Sequence, residues 1–216
     1  MGILFGLRAD AVESEVTVNF APPDGSLILT QSPTADPISD AVNNVRFSCI
    51  GFASGLRHTV FEMVTRHFFR FELPERGRIT VHAHLTNFGL ATLSARGPGW
   101  LFDAPGNAQF FLGAKLRVRV FRANHDILFT RSTREDSVFH HRVFGDDGSR
   151  TDTAVVSTGL MERSITTSPP DLVNVHQAIQ VRVQYRVLAL AQDGADFTLD
   201  FSTDGGLNVP MVVVNY

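Results

Sequence analysis

The 216-residue chain is 44% hydrophobic and 19% charged, enough apolar surface to offset the entropy lost on folding, which excludes an intrinsically disordered protein. Its formal net charge of -3, with basic residues gathered in neither terminal arm, supplies no long-range field for a polyanion and sets nucleic acid aside as a partner. A single cysteine, Cys49, excludes an internal disulfide and a thiolate metal cluster, and no apolar run nears the ~20 residues of a membrane-spanning helix.

From the N-terminus, Met1 to Arg8 is an apolar patch with no charged region before it and acids soon after, at Asp10, Glu13 and Glu15. That pattern lacks the marks of a secretory signal. The expectation is cytoplasmic synthesis, compatible with incorporation into a released particle such as a virion. Residues 14–20 alternate polar and apolar side chains and predict a strand. Residues 21–44 carry Pro22, Pro23, Gly25, Pro33 and Pro37 around Leu27, Ile28 and Leu29. They predict an extended arm that either crosses the domain surface as a loop or lays Leu27, Ile28 and Leu29 along a sheet edge, of this domain or of a neighbouring subunit. The division that follows is an N-terminal strand and arm over 1–44 and a β domain over 45–216.

Within 45–216 strands are predicted at 45–52, 66–73, 78–88, 109–122, 127–131, 138–144, 153–158, 179–191, 197–201 and 207–215. Only 58–65 has a claim to be a helix. The most regular alternations, Leu116 to Phe121 and Ile179 to Val187, read as antiparallel strands with one wet face. Turn residues at Asp146-Asp147-Gly148, Asp193-Gly194 and Asp204-Gly205-Gly206 supply the positive φ of tight hairpins. With 18 Phe against 2 Tyr and 1 Trp, the core should be rich in phenylalanine. The fold class is therefore all-β: an antiparallel β-sandwich, jelly-roll-like, with an extended N-terminal arm.

Residues Phe68-Phe69-Arg70-Phe71-Glu72-Leu73-Pro74-Glu75-Arg76-Gly77-Arg78-Ile79-Thr80-Val81 resemble the bacterial pre-peptidase C-terminal family of jelly-roll modules, in which an aromatic strand, a Pro/Gly turn and an alternating strand recur. The resemblance implies an accessory or binding module. It carries over no calcium ligand, because Phe88 to Leu93 lacks the family's aspartates.

Several residues invite chemistry. His82 and His84 lie two apart on a strand and leave the same face, the spacing of a shared metal ion. The pair resembles the first motif of the cupins, but Leu85-Thr86-Asn87-Phe88 has no acid and neither Pro98-Gly99 nor Pro105-Gly106 leads to a histidine, so a solvated strand face competes with the metal reading. Neighbours His140 and His141 point to opposite faces and cannot chelate together. Arg117 and Arg119 share one face, as do Arg182 and Arg186, and would form a guanidinium stripe if their strands pair. Such a stripe suits a sulfated or carboxylated glycan, a partner's acids, or local Asp and Glu. The 97–107 loop carries Trp100, Leu101 and Phe102 between Pro and Gly residues. It either plugs the sandwich, docks on a neighbouring subunit, or stacks on a sugar with Asp103 and Asn107 at its flanks. No nucleophile elbow, P-loop or paired carboxylate motif is present.

The functional expectation is a non-catalytic assembly protein forming homo-oligomeric contacts, such as a virion or tail component, with no cofactor. A carbohydrate-binding or adhesion module is the alternative. A cupin-like metalloprotein on His82 and His84 is the third reading.

Overall fold

The computed structural model describes residues 6–9, 13–20, 25–31, 44–54, 57–98, 104–167, 171–174, 177–202 and 206–216. They form strands in chain order: β1 (Gly6–Ala9), β2 (Glu13–Phe20), β3 (Gly25–Gln31), β4 (Asn44–Phe52), β5 (His58–Glu72), β6 (Thr80–Ala95), β7 (Asn107–Phe121), β8 (Ile127–Ser132), β9 (Asp136–Phe144), β10 (Arg150–Ser157), β11 (Met161–Thr166), β12 (Ala178–Gln192), β13 (Ala195–Asp200) and β14 (Gly206–Asn215). No helix occurs among the described residues, so none is long and apolar enough to cross a membrane.

The strands pair antiparallel in two sheets. In the first sheet the order is β1-β14-β4-β13-β6-β10, with β3 on β4 and β11 on β6. In the second it is β2-β5-β12-β7-β8, with β9 following β8 along the same edge of β7. The sheets pack face to face in an antiparallel, jelly-roll-like β-sandwich. Chain order alternates between them, since β4, β6, β10 and β13 lie in the first sheet and β5, β7, β9 and β12 in the second.

This alternation changes what the turns do. Asp193 and Gly194 have positive φ of 55° and 79°, as the sequence predicts, but they join β12 of one sheet to β13 of the other. Gly148, at φ 128°, likewise ends a crossing from β9 to β10. These turns are corners of the sandwich rather than hairpins within a sheet.

The segment 58–65, which has the sequence's one claim to helix, is instead the first half of β5. Val60, Met63 and Val64 imitate a helical spacing, but the buried row is Thr59, Phe61, Met63 and Thr65. Val64 is buried on the opposite face, where its register partners are Thr17 of β2 and Arg186 of β12. A strand covered on both faces loses the alternation that identifies it.

The N-terminal strands belong to the sheets: β1 pairs β14, β2 pairs β5 and β3 pairs β4. The arm thus lays Leu27 opposite Cys49, Ile28 opposite Ser48 and Leu29 opposite Phe47 within the same chain.

The core is rich in phenylalanine, as expected. Phe47 and Phe201 stack with centroids 4.9 Å apart, and Phe61, Phe110 and Phe139 extend the cluster at 6.0 Å steps. Full burial of each such ring contributes roughly 1.5–3 kcal/mol. Gly89 makes room for one of them, because a Cβ there would sit 2.5 Å from the Phe201 ring. Tyr185 of the second sheet crosses the core, and its hydroxyl donates to the carbonyls of Thr86 and Asn208 in the first, at 3.1 and 2.9 Å.

Candidate functional site

Three long strands build the outer face of the second sheet. Strand β12 is central, with β5 on one side and β7 on the other. Period-two alternation buries Ile179, Val181, Val183 and Tyr185 and turns Gln180, Arg182, Gln184 and Arg186 outward. Register then aligns three rows across the strands: Arg66, Gln184 and Lys115; Phe68, Arg182 and Arg117; and Arg70, Gln180 and Arg119. At a strand spacing of about 4.8 Å and a two-residue step of about 6.7 Å, this block measures roughly 10 by 13 Å.

Arg117 stands directly opposite Arg182, a like-charge pairing that destabilises a sheet unless an anion intervenes. Among the described residues, the one carboxylate that makes an ion pair with the block is Glu15, 3.6 Å from Arg66, whose guanidinium also donates to the Thr17 hydroxyl at 2.9 Å. The Nε atoms of Arg117, Arg119 and Arg182 are buried without a hydrogen-bond partner among the described residues. Burial, then repulsion from Arg117, Arg66 and Arg119, pulls the Arg182 guanidinium down to about 10, with Glu15 opposing. At neutral pH it stays protonated, so the block holds unneutralised positive charge.

Arg186, expected in the same stripe, is satisfied instead. Its Nε donates to Glu62 at 2.7 Å, and a terminal nitrogen donates to Glu135 at 3.4 Å. The Glu62 hydrogen bond is the main reason its pKa is raised. Asn107, which would flank a sugar if the 97–107 loop stacked on one, lies ten residues before Arg117 at the other end of β7, about 33 Å away. There it donates to Gln192 at 3.1 Å and accepts from Arg142 at 3.0 Å. Trp100, Phe102 and Asp103 lie outside the described residues.

At the end of the block where β5 finishes and β12 begins, an open cleft of about 450 Å³ is lined by Arg70, Phe71, Glu72, Phe121, His125 and Gln180, among others. It adjoins the arginines directly. Gln180 and Arg70 belong to both, and Arg119 precedes Phe121 by two residues on the same strand face. Arg66, Arg70, Lys115 and the cleft were not singled out by the sequence; the parity of Arg66 and Arg70 along β5 is the signal that would have found them.

His82 and His84 do leave one face of β6, as expected. The structure adds Glu162, in register with His84 on β11, whose carboxylate meets His82 Nδ1 at 2.5 Å. That hydrogen bond, with the charge of both imidazoles, holds the Glu162 carboxyl below its ordinary range. No group of three His, Cys, Asp or Glu side chains among the described residues is placed to hold a metal ion. His140 faces outward and His141 inward, where it lies 3.5 Å from Asp152.

No family model and no curated protein sequence matches this chain. Among solved structures it is similar to a family 35 carbohydrate binding module from Clostridium thermocellum, at 12% identity over 97% of this chain and 97% of that one, with a TM-score of 0.29. It is similar to TmCBM61 in complex with beta-1,4-galactotriose, at 11% identity over 93% of this chain and 90% of that one, with a TM-score of 0.23. The Gx strain of infectious bursal disease virus is similar at 10% identity over 99% of this chain and 39% of that one, with a TM-score of 0.25. Likenesses at these TM-scores attach no ligand and no role to any residue here.

Proposed function

We propose that this chain is a non-catalytic structural subunit whose work is homo-oligomeric assembly, as in a virion, a tail or another released particle. The observation that carries this reading is the outer face of the first sheet. Ile50 and Phe52 of β4, Phe88 and Leu90 of β6 and Val155 of β10 are there between 38% and 58% exposed, and Ile28 of β3 is 56% exposed beside them. Single exposed apolar residues need no explanation, but Ile28, Ile50 and Phe52 on one side of β13 and Phe88, Leu90 and Val155 on the other gather on one face, as on an interaction surface.

Between them the register places Thr198, Thr92 and Thr153 in one row and Asp196, Ser94 and Thr151 in the next. Asp196 is the carboxylate on these rows, and Asp200, in the adjoining row between Ser48 and Leu90, is engaged by the Ser202 amide and hydroxyl at 3.0 and 2.5 Å. A surface of Ile, Phe, Leu, Val and Thr with few charges suits a second copy of itself. A two-fold contact brings each patch against the same patch, and sheets stack face to face about 10 Å apart.

Light scattering across a concentration series tests this. The expected result is a defined oligomer for the full chain that falls to monomer in the Ile50→Ser/Phe52→Ser double variant. A wild-type monomer at every concentration overturns the reading. Loss of the oligomer on deleting 21–44, with the double variant still assembled, moves the contact to the Leu27 to Leu29 arm. A second reading, saccharide binding, is favoured by the arginine block of the other sheet.

A further inference from the structure

We infer that the outer face of the second sheet is a binding site for an acidic saccharide chain, whose sulfate or carboxylate groups are held by Arg117, Arg119 and Arg182 while a neighbouring sugar ring occupies the cleft between Arg70 and His125. This deepens the saccharide reading and is independent of the assembly reading, which rests on the opposite sheet.

The arginines come first. Arg117 and Arg182 face each other across adjacent strands, and Arg119 lies one two-residue step from Arg117 on the same face. Guanidinium groups bind carboxylates and tetrahedral oxyanions with parallel hydrogen bonds. None of the three makes a hydrogen bond or ion pair among the described residues, and their buried Nε atoms are left without a partner. Contrast Arg186 on the same strand, which is closed off by Glu62 and Glu135. Strands β7 and β12 thus close off Arg186 and leave Arg117, Arg119 and Arg182 open.

The cleft then selects among anions. Its walls include Phe121, which offers apolar surface to the carbon face of a sugar, and Gln180 and His125, which offer hydrogen bonds to hydroxyls. Glu72 is also in the wall. A carboxylate there accepts hydrogen bonds from hydroxyl groups and repels an anion. A ligand matching both parts carries negative charge over the arginines and neutral hydroxyls at the cleft. Acidic saccharides have that composition, whereas polyphosphate and single-stranded nucleic acid bring a phosphate at every step.

Isothermal titration of the full chain near 0.15 M salt, with four probes, tests the inference: a heparin oligosaccharide (sulfated), a polygalacturonate oligosaccharide (carboxylate only), dextran (neutral) and single-stranded DNA. Binding of either acidic saccharide, at least tenfold tighter than DNA and with none to dextran, is the expected result. The first two probes tell sulfate from carboxylate recognition. Arg117→Gln/Arg182→Gln should weaken that binding at least tenfold, with a melting temperature no lower than wild type, because the change removes a like-charge contact. Arg150→Gln deletes a charge from the other sheet and should leave affinity within twofold.

Absence of binding to both acidic saccharides overturns the site. So does DNA binding of equal strength, or an equal loss in Arg150→Gln, since either reduces the block to unspecific charge. If the double variant is destabilised, Arg119→Gln alone is used, with the same thresholds.

Discussion

Replacing Tyr185 by Phe removes one oxygen from the centre of the sandwich and leaves its shape intact. Tyr185 is fully buried, and its hydroxyl serves two carbonyls, Asn208 at 2.9 Å and Thr86 at 3.1 Å. Those residues face each other across the β6 and β14 pair, immediately before the register shift between Asn208 and Met211. The hydroxyl therefore ties the second sheet to an irregular point of the first. A net hydrogen bond contributes about 1 kcal/mol, and a buried polar group left without a partner costs about 1–3 kcal/mol. No cavity adds to this, so Tyr185→Phe should cost about 1–3 kcal/mol, read at about 2–4 °C of melting temperature per kcal/mol for a domain of this size.

Urea unfolding followed by circular dichroism measures it, with the midpoint lowered and the slope unchanged. The same residue sets a pH dependence. Burial raises the phenol far above its ordinary value of 10.0. Below that value folded and unfolded chains both hold the proton; above it the unfolded chain releases its proton while the folded one keeps it, so stability falls as pH rises. The variant escapes that fall, and its deficit should shrink by about 1.4 kcal/mol per pH unit above 10. A deficit below about 0.5 kcal/mol at neutral pH, or one that grows above pH 10, refutes the account.

Cys49 should act the same way at lower pH: burial pushes its thiol from 9.0 up to about 12, so stability falls between those values, and Cys49→Ala should flatten that part of a pH series of urea midpoints. Gly89→Ala places a Cβ 2.5 Å from the Phe201 ring and should cost about 1–3 kcal/mol by overpacking, measured by thermal unfolding. Glu162→Gln breaks a contact to His82 at the surface and should change stability by less than about 1 kcal/mol in the same assay.

How far these features could be read from the sequence depended on how local their causes are. The strands around Leu116 to Phe121 and Ile179 to Val187 were legible because each is buried on one side, and a period of two records that directly. The first half of β5 was not, because Thr17 and Arg186 flank Val64 on the outer face and erase the alternation there. β11, Met161–Thr166, is a short edge strand whose inward row puts Arg163 between Met161 and Ile165, which hides its pattern. In the candidate site the sequence supplied the residue types and their parity. It could not supply register, and register decides that Arg117 meets Arg182 while Arg186 meets Glu62 and Glu135, residues 124 and 51 positions away.

The two outer faces make opposite demands on salt, and this separates their functions without any mutation. Contact through Ile50, Phe52, Leu90 and Val155 is driven by removal of apolar surface from water, which sulfate salts strengthen by exclusion from the protein surface. Binding at Arg117, Arg119 and Arg182 is electrostatic at a partly open face and weakens as the Debye length falls from ~10 Å at 0.1 M towards ~3 Å at 1 M. Raising sodium sulfate should therefore increase the oligomer mass while releasing a bound acidic saccharide, with sulfate itself competing for the guanidinium groups. If both were lost together, the saccharide and the second copy would share one surface, and the assignment of apolar contact to the first sheet and anion contact to the second would fail.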